Sequence, residues 1–177
     1  MGMLKVRGLR VVVDGRSVLR GVDIEIPEGE IHALLGPNAS GKTSLAQTLL
    51  GFPNFKVVSG SIFFKGKDIT RAPLDERVRM GLAIAFQNPP VVRGVKLRDV
   101  LKLIGKKTER DKLAQLISEM RISGELLNRD LNYGFSGGEK KKCEILQVLA
   151  LNPDFVILDE PDSVSYTHLT LPTKRIV

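Results

Sequence analysis

Gly36-Pro37-Asn38-Ala39-Ser40-Gly41-Lys42-Thr43 constrains this chain more than any other stretch, because few backbones can use it. The spacing G-x-x-x-x-G-K-[ST] describes a loop whose successive N–H groups point inward at an anion, backed by the positive end of a helix dipole. The flanks agree with that geometry. Residues 31–35 form an apolar run that reads as a buried strand, and residues 41–50 read as a helix. Lys42 is then placed for the β- and γ-phosphates of a nucleoside triphosphate, and the Thr43 hydroxyl for Mg²⁺. A strand, a loop and a helix in that order predict an α/β domain.

With 177 residues the chain has room for one well-buried domain and a small subdomain, but not for two full domains. The formal charge is +7. A triphosphate cradle needs local positive charge anyway, and Lys174 and Arg175 sit in an atypical tail, so the excess makes no case for nucleic acid. The single cysteine, Cys143, excludes an intrachain disulfide and fits a reducing compartment. No apolar run approaches the roughly 20 residues that span a bilayer. Lys5, Arg7 and Arg10 interrupt the start of the chain, so no secretory apolar core is present there. A cytoplasmic protein without direct membrane insertion is the expectation.

Along the chain, residues 4–13 and 18–26 read as strands around a turn at Asp14-Gly15. Val22-Asp23-Ile24-Glu25-Ile26 alternates as an antiparallel strand with one wet face does. Residues 60–64 and 83–86 are further strands, with a short helix at 73–80 between them. From 96 to 131 apolar residues recur at helical spacing among many charges, which predicts a helical subdomain inserted into the core. Residues 138–151 form another helix, ended by Asn152-Pro153. Phe155-Val156-Ile157-Leu158 is a continuous apolar strand of the kind buried on both faces.

Two more motifs carry chemistry. Asp159-Glu160 follows that apolar strand, where the first carboxylate would support Mg²⁺ and the second would polarise a water. Phe135-Ser136-Gly137-Gly138-Glu139 opens the helix before it, offering a hydroxyl, free N–H groups and no bulky side chains. That is a second anion site. A chain with its own phosphate loop has no obvious use for another, unless the second serves a nucleotide held by a neighbouring subunit.

The phosphate loop, Gln87 after a strand, Ser136-Gly137-Gly138-Glu139 and the Asp159-Glu160 strand together resemble the ATP-binding-cassette ATPases. They occur in that family's order and at its approximate spacing, over residues 1–163. The resemblance implies an α/β P-loop core with an N-terminal antiparallel β subdomain, a helical subdomain inserted at about 96–131, and the last core strands missing. It also implies ATP and Mg²⁺ as cofactors and head-to-tail pairing of two cassettes. Gly36, Pro37, Asn38, Ala39, Ser40, Gly41, Lys42, Thr43 and Ser44 would hold the phosphates, and Val13 would lie where an aromatic usually stacks on the base. Thr43, Gln87 and Asp159 would serve the metal. Lys42, Gln87 and Glu160 would carry the hydrolysis, and Ser136, Gly137, Gly138 and Glu139 would reach the partner's nucleotide.

Within the family, the run from Ala85 to Val95 and the run from Asn132 to Gln147 are similar to the cassettes of the SUF iron–sulfur cluster assembly system. That likeness implies SufB- and SufD-like scaffold proteins as partners. A transporter subunit remains the alternative, as does an inactive cassette; a chromosome or DNA-repair cassette does not, since 88–131 is too short for its coiled coil.

Several residues depart from the pattern or invite over-reading. Ala39 replaces a usual glycine, and strain follows if its φ is positive. Lys140-Lys141-Lys142 reads as a solvated basic face against the helix dipole. Cys143 reads as a small buried hydrophobe and not as an iron ligand. Residues 164–177 fit no family element, and His168 stands too soon after Glu160 to act as the family's later histidine. A chain ended this way is expected to be poorly soluble or inactive.

Overall fold

The computed structural model describes residues 2–86, 89–105 and 110–159. These divide into two compact units, one made of residues 2–84 and 154–159 and the other of residues 85–153.

The first unit is built on an antiparallel sheet. Strands β1 (Gly2–Val13) and β2 (Arg16–Pro27) pair directly, joined by Asp14 and Gly15 at φ 47° and 77°. Positive φ at both central residues is the hairpin geometry that matches strand twist. Strand β3 (Lys56–Phe64) adds to the other side of β1, and β4 (Lys67–Asp68) extends it, giving the order β2-β1-β3-β4. Alternation decides the faces. Leu4, Val6, Leu9, Val11, Ile62 and Phe64 point inward and are buried, while Lys5 pairs with Glu25 at 3.0 Å on the wet side.

Helix α1 (Lys42–Leu50) and helix α2 (Leu74–Arg79) belong to the same unit. Arg77 links them. Its guanidinium donates to the carbonyls of Thr48 and Leu49 at 2.8 Å each, and to Ala72 and Thr70 at 2.8 and 3.0 Å. A buried cation thus meets the negative end of α1 instead of a carboxylate. Burial pulls its pKa below the usual guanidinium value.

Strands β5 (Leu82–Ala85) and β8 (Phe155–Leu158) form a two-stranded sheet. Gly81 precedes β5 at φ 106°, and its carbonyl accepts from the N–H groups of Asp154 and Phe155 at 2.8 and 3.0 Å. A side chain there would collide with the Asp154 carboxylate, so the close approach needs glycine. The Phe155 ring then meets Phe64 edge to face, with centroids 6.2 Å apart.

One expected element is absent. Residues 31–35 form no strand, and Ile31, Leu34 and Leu35 are 74%, 53% and 88% exposed. A strand is stable only when neighbours take its backbone hydrogen bonds, and no sheet of the described residues includes this run.

In the second unit, the short strands β6 (Val92–Lys96) and β7 (Asp130–Leu131) pair antiparallel. Between them lie helices α3 (Leu97–Ile104), α4 (Arg110–Glu119) and α5 (Gly124–Asn128), followed by α6 (Gly137–Leu151). Leu97, Leu101, Leu116 and Met120 pack with Cys143 and Leu146 of α6 in one core. The helical spacing read over 96–131 therefore reports real buried stripes.

Candidate functional site

The phosphate-type loop runs from Gly36 to Gly41 and is exposed through Ser40. It is held by short local bonds: Ser40 N–H donates to the Pro37 carbonyl at 3.2 Å, and Leu45 N–H to Gly41 at 2.8 Å. A Cβ on Gly36 would sit 2.9 Å from Ser40 Oγ, so the loop closes tightly there. Gly41 is the N-cap of α1 at φ 98°, with no side-chain cap and no acid in the first turn. The first N–H groups of α1 are consequently left for an external anion. Ala39 lies at φ 63°, so the strain expected of a non-glycine residue there is present.

Lys42 folds back over the loop. Its ammonium donates to the Gly36 and Pro37 carbonyls at 2.8 and 3.0 Å. An ammonium has three protons, so one donor remains for a phosphate oxygen. Thr43, one residue on, donates its hydroxyl to Asp159 Oδ1 at 3.2 Å across 116 residues of sequence. A hydroxyl and a carboxylate side by side at the foot of a phosphate loop suit Mg²⁺, which takes few protein oxygens and leaves the rest of its octahedron to phosphate and water. Among the described residues no cluster of three or more His, Cys, Asp or Glu could hold a metal by itself. The donor set fits a metal that arrives with its nucleotide. Ser44 follows on α1 and accepts from Thr48 Oγ1 through its carbonyl at 2.6 Å. Val13 ends β1, half-buried, opposite Arg16. Gln87 and Glu160 lie outside the described residues.

The Ser136 turn belongs to the second unit and has a different construction. Ser136 caps α6: its hydroxyl accepts from Glu139 N–H at 3.3 Å, and Glu139 Oε2 accepts from Ser136 N–H at 2.7 Å. This reciprocal box satisfies two of the helix's free donors, leaving Gly137 and Gly138 open. The Ser136 N–H holds the Glu139 carboxyl below its ordinary value.

The basic run just beyond is not a uniformly wet face. Lys142 is exposed, but Lys141 is buried and lies 3.5 Å from the equally buried Glu144 one turn on. Burial pushes the Glu144 carboxyl up, against the opposing pull of Phe86 N–H and Lys141. Cys143 is fully buried, and desolvation pushes its thiol up to about 12, as a small apolar residue requires. Sequence reading missed Asn132 and the Lys141–Glu144 pair. A Lys-x-x-Glu step among Cys143, Ile145 and Leu146 was the available signal.

The family model described as ABC transporter matches residues 19–163. The chain belongs to the ATP-binding-cassette family of ATPases. It is 41% identical over 174 residues to the probable ATP-dependent transporter ycf16 of Cyanophora paradoxa, covering 91% of this chain and 67% of that one. It is 38% identical to the probable ATP-dependent transporter SufC of Escherichia coli, covering 91% and 70%. Among solved structures, the ATP-binding cassette MJ1267 of an ABC transporter superposes with a TM-score of 0.74 at 27% identity, over 93% of this chain and 72% of that one. The cassette fold read from the sequence is therefore correct. Among the described residues no helix is long and apolar enough to cross a membrane.

Proposed function

We propose that this chain hydrolyses ATP as the cassette subunit of a SufBCD-type iron–sulfur cluster assembly complex, with two cassettes closing head to tail on shared nucleotide. The observation that carries the ATPase half of this reading is the meeting of Thr43 and Asp159 beneath the Lys42 loop. Triphosphate enters over the N-terminus of α1, held by backbone N–H groups of the 36–44 loop, in which Pro37 has none to give, and by the Lys42 ammonium. Thr43, Asp159 and Gln87 would hold Mg²⁺, which when bound would neutralise charge on the phosphoryl oxygens. Glu160 orients and polarises the attacking water. Val13 lies against the base and gives apolar contact without stacking, so discrimination among bases is weak. Ser136, Gly137, Gly138 and Glu139 approach the γ-phosphate of the nucleotide bound to the partner cassette.

The assembly half draws support from the relative named SufC and from the run between Asn132 and Gln147, which carries Glu139 in its capping box. SufB- and SufD-like scaffolds are the partners on this reading, the protein working in the cytoplasm without nucleic acid and without direct membrane insertion. A transporter subunit is the second reading, favoured by the matched family's own description.

Sedimentation of Glu160→Gln with Mg·ATP tests the shared site: a stable dimer is expected, and an unchanged monomer mass overturns it. Capture by soluble SufB- and SufD-like proteins supports the assembly role. Capture only in the membrane fraction supports the transporter.

A further inference from the structure

Phe86 and Pro90 stand on either side of Gln87 in the chain, and buried side chains of one segment hold the backbone of both. At Phe86 the Glu144 carboxylate accepts the N–H, while the Lys141 ammonium donates to the carbonyl at 3.3 Å. At Pro90 the carbonyl accepts from Asn132 Nδ2 at 2.7 Å. Asn132, Lys141 and Glu144 are 2%, 6% and 4% exposed. All three lie within residues 132–144, which bracket the Ser136 turn, and all belong to the second unit.

The chemistry of these positions argues for a purpose beyond packing. A buried ion pair rarely recovers its desolvation cost, and apolar residues of similar volume would fill the same space with less penalty. Asn132 Oδ1 has no hydrogen-bond partner among the described residues, and Glu144 Oε2 has only the 3.5 Å ion pair with Lys141. Asn132 also adopts φ 60°, a conformation that asparagine tolerates better than most residues. What the three groups obtain in return is fixed backbone at residues 86 and 90.

We propose that Asn132, Lys141 and Glu144 are positioning residues that tie both ends of the Gln87-bearing segment to the segment carrying the Ser136 turn. Movement of that turn on contact with nucleotide is then transmitted through these clamps to the backbone at Phe86 and Pro90, which flank Gln87 in the sequence. The proposal rests on the reading above for the roles of the turn and of Gln87. The clamps themselves do not depend on it.

Hydrogen–deuterium exchange of the whole chain, read by mass spectrometry with and without Mg·ATP, tests the idea. Without nucleotide, Glu144→Ala and Asn132→Ala raise exchange across residues 86–91 by at least ~10-fold and leave α1 unchanged. Glu144→Gln keeps an acceptor for Phe86 N–H and restores protection. With Mg·ATP, residues 86–91 and 132–144 slow together in the unaltered chain, whereas in the two alanine variants only 132–144 responds. An equal rise in exchange everywhere, or a nucleotide response at 86–91 that survives both substitutions, overturns the proposal. Lys42→Ala separates the two layers. If the unaltered chain and this variant are equally indifferent to Mg·ATP, the nucleotide reading fails, and the nucleotide-free comparison still decides the clamps.

Discussion

Helices α1 and α6 both begin with glycines at an exposed turn, yet their N-termini are finished in opposite ways. The start of α1 has Gly41 in a left-handed conformation, no cap and no acid, and the Lys42 ammonium lies over the preceding loop. The start of α6 has Ser136 in an extended conformation, a closed capping box and a carboxylate in its first turn. One terminus is left electrostatically positive for a resident anion. The other has largely satisfied itself, and Glu139 repels a second phosphate unless a neighbour presents it in a fixed place. On the function proposed above, the contrast fits binding by the protomer itself at the first and conditional contact at the second.

Lys42→Ala is the harshest test of that contrast. Losing a charge-assisted hydrogen bond of about 1.5–3 kcal/mol predicts roughly 10- to 150-fold weaker Mg·ATP binding by the protomer. Titration calorimetry checks this, and Ser136→Ala in the same experiment should leave the affinity unchanged. Equal losses in both variants would erase the distinction.

A smaller effect is expected at Ala39, whose φ of 63° is strained for a residue with a Cβ. Relief of about 1–2 kcal/mol, less the greater freedom of glycine in the unfolded chain, predicts that Ala39→Gly stabilises by up to ~1 kcal/mol. Denaturant melts measure it.

The subtlest difference is in pH. The Glu139 carboxyl is depressed in the folded chain, so its contribution is complete above the unfolded value of 4.5 and disappears as pH falls through the lower folded value. Melting temperatures of the unaltered chain and Glu139→Gln should therefore differ at pH 7 and converge in acid. Convergence absent below that range would place the helix's stability elsewhere.

Much of this architecture could be read from local pattern. Alternation in β1 and β2, the Asp14-Gly15 turn and the helical stripes of 96–131 all report contacts made by neighbouring residues, which a sequence displays directly. The phosphate loop was legible because its chemistry demands adjacent residues. Residues 31–35 misled for a physical reason: an apolar run advertises willingness to be buried, but a strand also needs partners for its amides. Lys141 misled in the other direction. Its partners are Glu144 on the next turn and a carbonyl 55 residues away, so a run of three lysines looked uniformly hydrated while one of them was not. The same distance hid Asn132, whose hydrogen bond reaches back 42 residues.

The state of Cys143 has a practical side. With its thiol sealed in the helical core and protonated at any ordinary pH, the native chain should ignore maleimide and iodoacetamide reagents. Any surface cysteine introduced by mutation becomes the sole reactive sulfur, and a fluorophore placed there reports on its own position without background.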